Sequence, residues 1–281
     1  MKIGKFEAEQ LSEGTFEVSA SGSIRRAEVD SKPKVKMGEN PGFSRIALDP
    51  LLIRSEQLNI VVDAGLGIGL DKKERDSSVS NLHTNLEIFG LIPEDIDYVI
   101  ISHLHYDHMA GLTYTGSDLE THPTLPNAEI LIHQKEWDHA ISLIDERNPV
   151  DGMGYEIDEL YRLAADGYIH FIQEDYFELM SGLEVLKTGG HTPGHQIVRI
   201  TGNKETAYFC GDLLPNEFQL NQYSMKRADY DPEQTKKVKT MLLQRAFHER
   251  ATLFFYHSLK QKSGKLGKDQ NRKYILQKSE S

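Results

Sequence analysis

Short apolar runs of four or five residues recur along the chain, with turn residues between them. Leu51 to Arg54 and Ile60 to Asp63 read as a hairpin pair of strands. Tyr98 to Ser102, Glu129 to His133, Leu183 to Lys187, Gln196 to Ile200, Thr206 to Cys210 and Leu253 to Tyr256 read as further strands. Between them the apolar spacing lengthens to that of helices. Asn81 to Phe89 carries Leu82, Leu86 and Phe89 on one face, and Glu136 to Ile144 and Glu156 to Ala165 follow the same rule. A fourth helix begins after Asp231, with Asp231 as N-cap, Pro232 at the first position, Gln234 at the third, and Val238, Met241 and Leu242 along one stripe. The strands and helices do not alternate strictly, which predicts mixed sheets covered by helices in layers. No repeat and no Pro/Gly-rich linker divides the chain. Residues 1–259 therefore read as one domain. Residues 260–281, rich in Lys, Gly, Ser and Gln and poor in apolar side chains, read as a basic, flexible tail.

Composition narrows the function. The chain has 281 residues, 38% hydrophobic and 27% charged, enough for a substantial core without staples. Acidic residues outnumber basic ones, 43 to 32, for a net charge of −11. Such a surface repels phosphate backbones, so no nucleic-acid partner is expected. No apolar run approaches the roughly 18 residues of a membrane span, so no membrane partner is expected either. The N-terminal stretch lacks the apolar segment of a signal peptide. The single cysteine, Cys210, cannot form an intrachain disulfide. Together these make the cytoplasm the expected compartment.

The chemistry concentrates in Tyr98-Val-Ile-Ile-Ser-His103-Leu-His105-Tyr-Asp107-His108. An apolar strand runs straight into three histidines and an aspartate, the donors a borderline cation such as zinc accepts. His103 and His105 are two apart and point to one side of an extended strand end. Asp107 and His108 come next, where the chain turns, and could face a second point. One segment could therefore begin two metal sites, the bland alternative being a His-rich surface loop. Three more strand ends offer donors: Thr188-Gly-Gly-His191-Thr-Pro-Gly-His195, Tyr208-Phe-Cys-Gly211-Asp212 and Leu253-Phe-Phe-Tyr-His257. Each alone is weak, because a single His or Asp at a strand end is more often a turn or capping residue.

In this order the residues His103-x-His105-x-Asp107-His108, His191, Asp212 and His257 resemble the metallo-β-lactamase superfamily, and all seven metal-ligand positions of its dinuclear hydrolases are matched. Ile60-Val-Val-Asp63-Ala-Gly65 resembles the strand–Asp–Gly turn beside that site, and the resemblance covers roughly residues 45 to 258. It implies an α/β (α+β) fold, a four-layer αββα sandwich with the metals at one edge of the two sheets. It implies that His103, His105 and His191 hold one ion, that Asp107, His108 and His257 hold a second, and that Asp212 bridges them. Asp63 and His195 would support these ligands from behind. Two divalent ions are the implied cofactors, with zinc expected and manganese, iron or cobalt accepted by the same donors.

The implied reaction is hydrolysis, with a metal-bridging hydroxide attacking a lactone or ester carbonyl and with Asp107 and Asp212 as catalytic residues. The surroundings, Ser44-Arg-Ile-Ala-Leu-Asp-Pro-Leu-Leu-Ile-Arg54 and Ser102-His-Leu-His-Tyr-Asp-His, are similar to the branch of N-acyl-homoserine lactonases and organophosphate hydrolases. The partner is then a small lactone or ester, and a homodimer stays open. One position departs from the lactonases: the tyrosine they carry three residues past the bridging aspartate is Pro215 here. Phosphotriester hydrolysis and a glyoxalase II-like thioesterase are the alternatives, ahead of an RNase Z-like nuclease. Gly65-Leu-Gly67-Ile-Gly69 lacks the spacing and the adjoining helix of a dinucleotide loop. His83, His122, His133, His139, His170 and His248 are ordinary histidines on this reading.

Overall fold

The computed structural model describes residues 1–19, 24–26, 43–67, 82–144, 157–221 and 229–277. Two seven-stranded sheets form its centre. The first runs, in spatial order, Lys2–Ile3, Phe6–Gln10, Leu51–Arg54, Asn59–Val62, Tyr98–Ile100, Glu129–His133 and Ile169–Ile172. The second runs Tyr176–Met180, Leu183–Lys187, Gln196–Gly202, Glu205–Phe209, Thr252–Phe254, Ser263–Lys268 and Tyr274–Leu276. Five α-helices are described: α1 (Leu82–Ile88), α2 (Tyr106–Met109), α3 (Gln134–Ile144), α4 (Asp158–Ala165) and α5 (Pro232–Glu249).

Strand side chains alternate between faces, and here both faces are covered. Leu51, Ile53, Ile60, Val62 and Ile100 of the first sheet meet Val185, Val198, Ile200, Phe209 and Phe254 of the second in one buried cluster. Leu52, Val61, Val99, Ile130 and Ile132 point the other way, onto Leu82 and Leu86 of α1, Trp137 and Ala140 of α3, and Leu160 and Leu163 of α4. Ile197, Tyr208 and Leu253 leave the second sheet outward, onto Leu242, Leu243 and Ala246 of α5. The layers are thus helix, sheet, sheet, helix, as the motif resemblance implies. Burial on both faces is also why these strands read as continuous apolar runs.

The central strands and α3, α4 and α5 lie where their hydrophobic spacing places them. Asp231 caps α5 as expected, its Oδ1 accepting from the Gln234 amide at 3.0 Å. Residues 260–277, the described part of the expected tail, depart from expectation. Instead of a flexible tail, Ser263–Lys268 pairs with Thr252–Phe254, and Tyr274–Leu276 pairs with it in turn. Leu266 is buried against the α5 side of the core, and the Lys262 ammonium sits 2.5 Å from the buried Asp49 carboxylate. The segment reads as a tail because its edge strands alternate Lys and Gly with single apolar residues. One buried leucine and a hairpin's main-chain bonds leave almost no hydrophobic signature.

Strand direction positions the site. Asn59–Val62, Tyr98–Ile100 and Glu129–His133 are parallel, as are Glu205–Phe209 and Thr252–Phe254 in the other sheet. Parallel strands end together, so the loops at their C-terminal ends gather at one edge. Phe209 lies opposite Phe254 in the register, which brings Asp212 and His257, each three residues further on, to the same level. Gln196, buried, ties the two sheets there, its backbone amide donating to Ser102 O at 2.9 Å and its side chain to Ile101 O at 2.7 Å.

Candidate metal centre

All seven residues singled out by the motif converge at this edge. His103 and His105 leave the Tyr98–Ile100 strand in extended backbone, and the chain then turns into α2, which carries Asp107 and His108. His191 comes from the loop after Leu183–Lys187, Asp212 from the turn after Glu205–Phe209, and His257 from the end of Thr252–Phe254. Three groups of donor atoms result, each close enough to share an ion: His103, His105 and His191; Asp107, His108 and His257; and His103, His108 and Asp212.

Asp212 faces two ways. Its Oδ2 lies 3.4 Å from His191 Nε2, while its Oδ1 lies 3.2 Å from His257 Nε2 and 3.5 Å from His108 Nε2. One carboxylate thus offers one oxygen to each of the first two groups.

The outer ring nitrogens are committed elsewhere. His108 Nδ1 donates to Asp63 Oδ2 at 2.8 Å, His191 Nδ1 to Asp229 Oδ1 at 3.0 Å, and His257 Nδ1 to Ala47 O at 2.9 Å. Ser102 donates its hydroxyl to Asp63 Oδ2, so its oxygen accepts from His103 Nδ1, at 3.1 Å. Each of these four imidazoles therefore has its Nδ1 engaged outside the cluster and turns its Nε2 inward. His103 Nε2 and His191 Nε2 close on His105 Nδ1 at 2.9 and 3.2 Å. At most one N–H lies among these three ring nitrogens, so lone pairs are left over that a cation would satisfy. The same holds for the second group: both oxygens of Asp107, His108 Nε2, His257 Nε2 and Asp212 Oδ1 are buried with no hydrogen-bond partner among the described residues. Unpaired buried polar atoms are costly. The donor set, nitrogen and carboxylate oxygen, fits divalent first-row metals.

The electrostatics agree. Burial, reinforced by the neighbouring imidazoles, holds His103 and His105 well below the usual histidine pKa, so both present neutral rings. Burial alone would raise Asp212, but His257 and His108 outweigh it and keep the carboxyl well below its usual range. Burial also opposes charge on His108, yet Asp107 and Asp63 carry it well above the ordinary value.

Supporting groups surround the ligands. Asp63 holds an unusual positive φ of 60°, which aims its carboxylate at the Ser102 amide, the Ser102 hydroxyl and His108. His195 Nε2 accepts from the Asp212 amide at 3.0 Å, while its Nδ1 donates to Thr188 Oγ1 at 2.7 Å. The Tyr256 hydroxyl donates to Asp107 O at 2.6 Å, and its ring stacks on His108. Glu13, pushed up to about 7 chiefly by burial, accepts from the amides of Leu66 and Gly67 and pins the loop after Asp63. Asp63 and His195 were legible in the sequence. Asp229, Glu13 and Tyr256 were not, since no spacing rule connects them to the groups they touch.

Pro215 occupies a turn in which its carbonyl accepts from the His257 amide at 2.9 Å. Tyr223, the nearest downstream tyrosine, lies outside the described residues, as does Gly69. The six ordinary histidines belong to none of the three donor groups; His122 pairs with Asp118 and His170 with Glu129. Cys210 is fully buried, and burial pushes its thiol up, so it is no thiolate ligand or nucleophile. Among the described residues no helix is long and apolar enough to cross a membrane.

Comparison with known proteins agrees with this geometry. A family model described as the metallo-beta-lactamase superfamily matches residues 50–257. An N-acyl homoserine lactonase of a Bacillus species is 26% identical over 237 residues, covering 76% of this chain and 82% of the relative. The lactonase AttM of Agrobacterium fabrum is 27% identical over 124 residues, 42% of each chain. Among solved structures, a probable metal-dependent hydrolase from Staphylococcus aureus superposes with a TM-score of 0.74 at 25% identity, covering all of both chains. AidC, a dizinc quorum-quenching lactonase, superposes at 0.72 with 20% identity, over 100% of this chain and 97% of its own.

Proposed function

The chain belongs to the metallo-β-lactamase superfamily and is a metal-dependent hydrolase, and from that premise we propose that it holds two divalent ions and hydrolyses lactones or esters. His103, His105 and His191 would hold the first ion. Asp107, His108 and His257 would hold the second, and Asp212 would serve both. The observation that carries this reading is Asp212, whose two oxygens face the two histidine groups separately. Divalent ions at such donors supply Lewis acidity, acidifying water and polarising a carbonyl oxygen. Zinc fits these imidazole and carboxylate donors, and manganese, iron or cobalt would be accepted by the same set.

The protein's own contribution is orientation and proton handling. Asp63, Asp229 and the Ala47 carbonyl fix the rings of His108, His191 and His257, so each donor is aimed before substrate arrives. Asp107, buried and without a hydrogen-bond donor of its own, is the base placed to take the proton of the attacking water and return it to the leaving oxygen. His105, Tyr106 and Asp212 are the partly exposed residues of the centre, so the scissile carbonyl would enter on their side. Lactones are favoured because curated relatives along most of the chain are named N-acyl homoserine lactonases. With Pro215 where those enzymes have tyrosine, breadth across lactones and aryl esters is expected over sharp tuning to one acyl-homoserine lactone.

Elemental analysis and a substrate panel test this reading. Metal-replete protein should carry close to two ions and turn over a γ-lactone or an aryl ester faster than a phosphotriester, S-lactoylglutathione or RNA. A reproducible content of one ion or fewer would sink the dinuclear reading. RNA cleavage outpacing carbonyl hydrolysis would sink the substrate class.

A further inference from the structure

The first ligand group is assembled from two loops that belong to different sheets. His103 and His105 extend from the Tyr98–Ile100 strand of one sheet, and His191 lies beyond the Leu183–Lys187 strand of the other. Something must hold the loops in register, because three imidazoles can share one ion only within a few tenths of an ångström. Glu136, in the first turn of α3 and 1% exposed, lies between them. Its Oε1 accepts from the amide of Leu104, the residue between His103 and His105, at 2.9 Å. Its Oε2 accepts from the hydroxyl of Thr192, the residue after His191, at 2.6 Å, and from the Gly194 amide at 3.0 Å.

Gly194 completes the contact. A Cβ there would come within 2.2 Å of the Glu136 backbone nitrogen and 2.6 Å of its Cα. Only glycine lets the His191 loop approach α3 closely enough for the two bonds to Oε2. The second ligand group has other supports, namely Asp63 for His108, the Ala47 carbonyl for His257 and Tyr256 for the Asp107 backbone.

We propose that Glu136 is a positioning residue of the first metal site, a carboxylate that clamps the His103–His105 loop to the His191 loop and tunes the affinity of that site and not of the second. The inference rests on the ligand assignment proposed above. Glu136 does not touch the ion or the substrate. It acts by satisfying buried donors in both loops with one rigid acceptor, bonds that are stronger for being made to a carboxylate.

The test is zinc binding to metal-free protein in competition with a chromophoric chelator, with cobalt absorption as a second readout and thermal melting of the metal-free protein alongside. Wild type should bind two ions. Glu136→Ala should weaken one of them roughly 10–100-fold, the usual effect of losing a group that orients a ligand, and leave the other unchanged. Glu136→Gln should fall between, since its amide oxygen can accept from one loop while its NH2 cannot accept from the other; it also serves if the alanine variant fails to fold. Gly194→Ala should weaken the same ion with Glu136 intact. Wild-type affinities for both ions in Glu136→Gln, or equal weakening of both in step with a lowered melting temperature, would overturn the proposal, the second outcome marking a merely structural glutamate. A wild-type chain that takes up no second ion would instead bring down the ligand assignment, and this inference with it.

Discussion

Replacing Asp63 by asparagine changes the charge and proton order behind His108 while leaving the backbone in place. Asparagine accepts a φ of 60° about as readily as aspartate does, so the turn should survive. The side-chain oxygen can still accept from the Ser102 amide, as Asp63 Oδ1 does at 2.7 Å. The NH2 group then stands where Oδ2 accepts from His108 Nδ1 and from the Ser102 hydroxyl, both at 2.8 Å. An NH2 cannot accept, so Nδ1 must give up its proton or leave it unpaired. Ser102 Oγ, 3.3 Å from Nδ1, can rotate its hydrogen toward it. An unpaired buried N–H is the costlier outcome, so the favoured tautomer carries its proton on Nε2, the nitrogen that would face the metal. A hydrogen bond to a charged group contributes about 1.5–3 kcal/mol. At about 1.4 kcal/mol per tenfold, the variant should bind its second ion roughly 10–100-fold more weakly. Chelator competition near neutral pH reads this directly, and lactone turnover at limiting metal should fall in parallel. Unchanged affinity for both ions would refute the tautomer argument and remove Asp63 from any role behind His108.

The same geometry makes three further outcomes testable. Asp212→Ala should lose bound metal and essentially all turnover, whereas His122→Ala and His248→Ala should stay within a few-fold of wild type; equal loss in a folded His248→Ala protein would show that the centre lies elsewhere. Leu266→Ala should cost about 2–5 kcal/mol and lower the melting temperature on the order of 10 °C, and truncation after residue 260 should cost more, as calorimetry would reveal; an unaltered melting curve would mean that the hairpin is not part of the core. Lys262→Ala removes the ammonium that counters burial at Asp49, whose carboxyl burial already pushes above its usual value. A raised folded-state pKa gives stability that is intact below the ordinary carboxylate range and is lost as pH rises through the raised value. The variant's deficit against wild type should therefore grow from acid to neutral pH in denaturant titrations, and a deficit independent of pH would contradict it.

The sequence by itself determined the cluster of candidate metal donors and most of the layering. His103, His105, Asp107 and His108 lie within six positions of one another at the end of one strand, so their grouping is local and visible in the chain. Strands such as Asn59–Val62 and Glu129–His133 are buried on both faces, and their unbroken apolar runs announce them. The Asp231–Pro232 start of α5 is equally local. Only the tertiary structure decided the relations between distant segments. That Asp212 faces two groups is a consequence of the parallel register of Phe209 against Phe254. That Glu136 clamps two loops, and that Asp229 and Ala47 orient His191 and His257, depends on contacts spanning tens to hundreds of residues, which no periodicity encodes. The C-terminal hairpin was hidden for a related reason. An edge strand is held mainly by main-chain hydrogen bonds, which any sequence can make, so Ser263–Lys268 and Tyr274–Leu276 join the sheet without an apolar pattern to mark them.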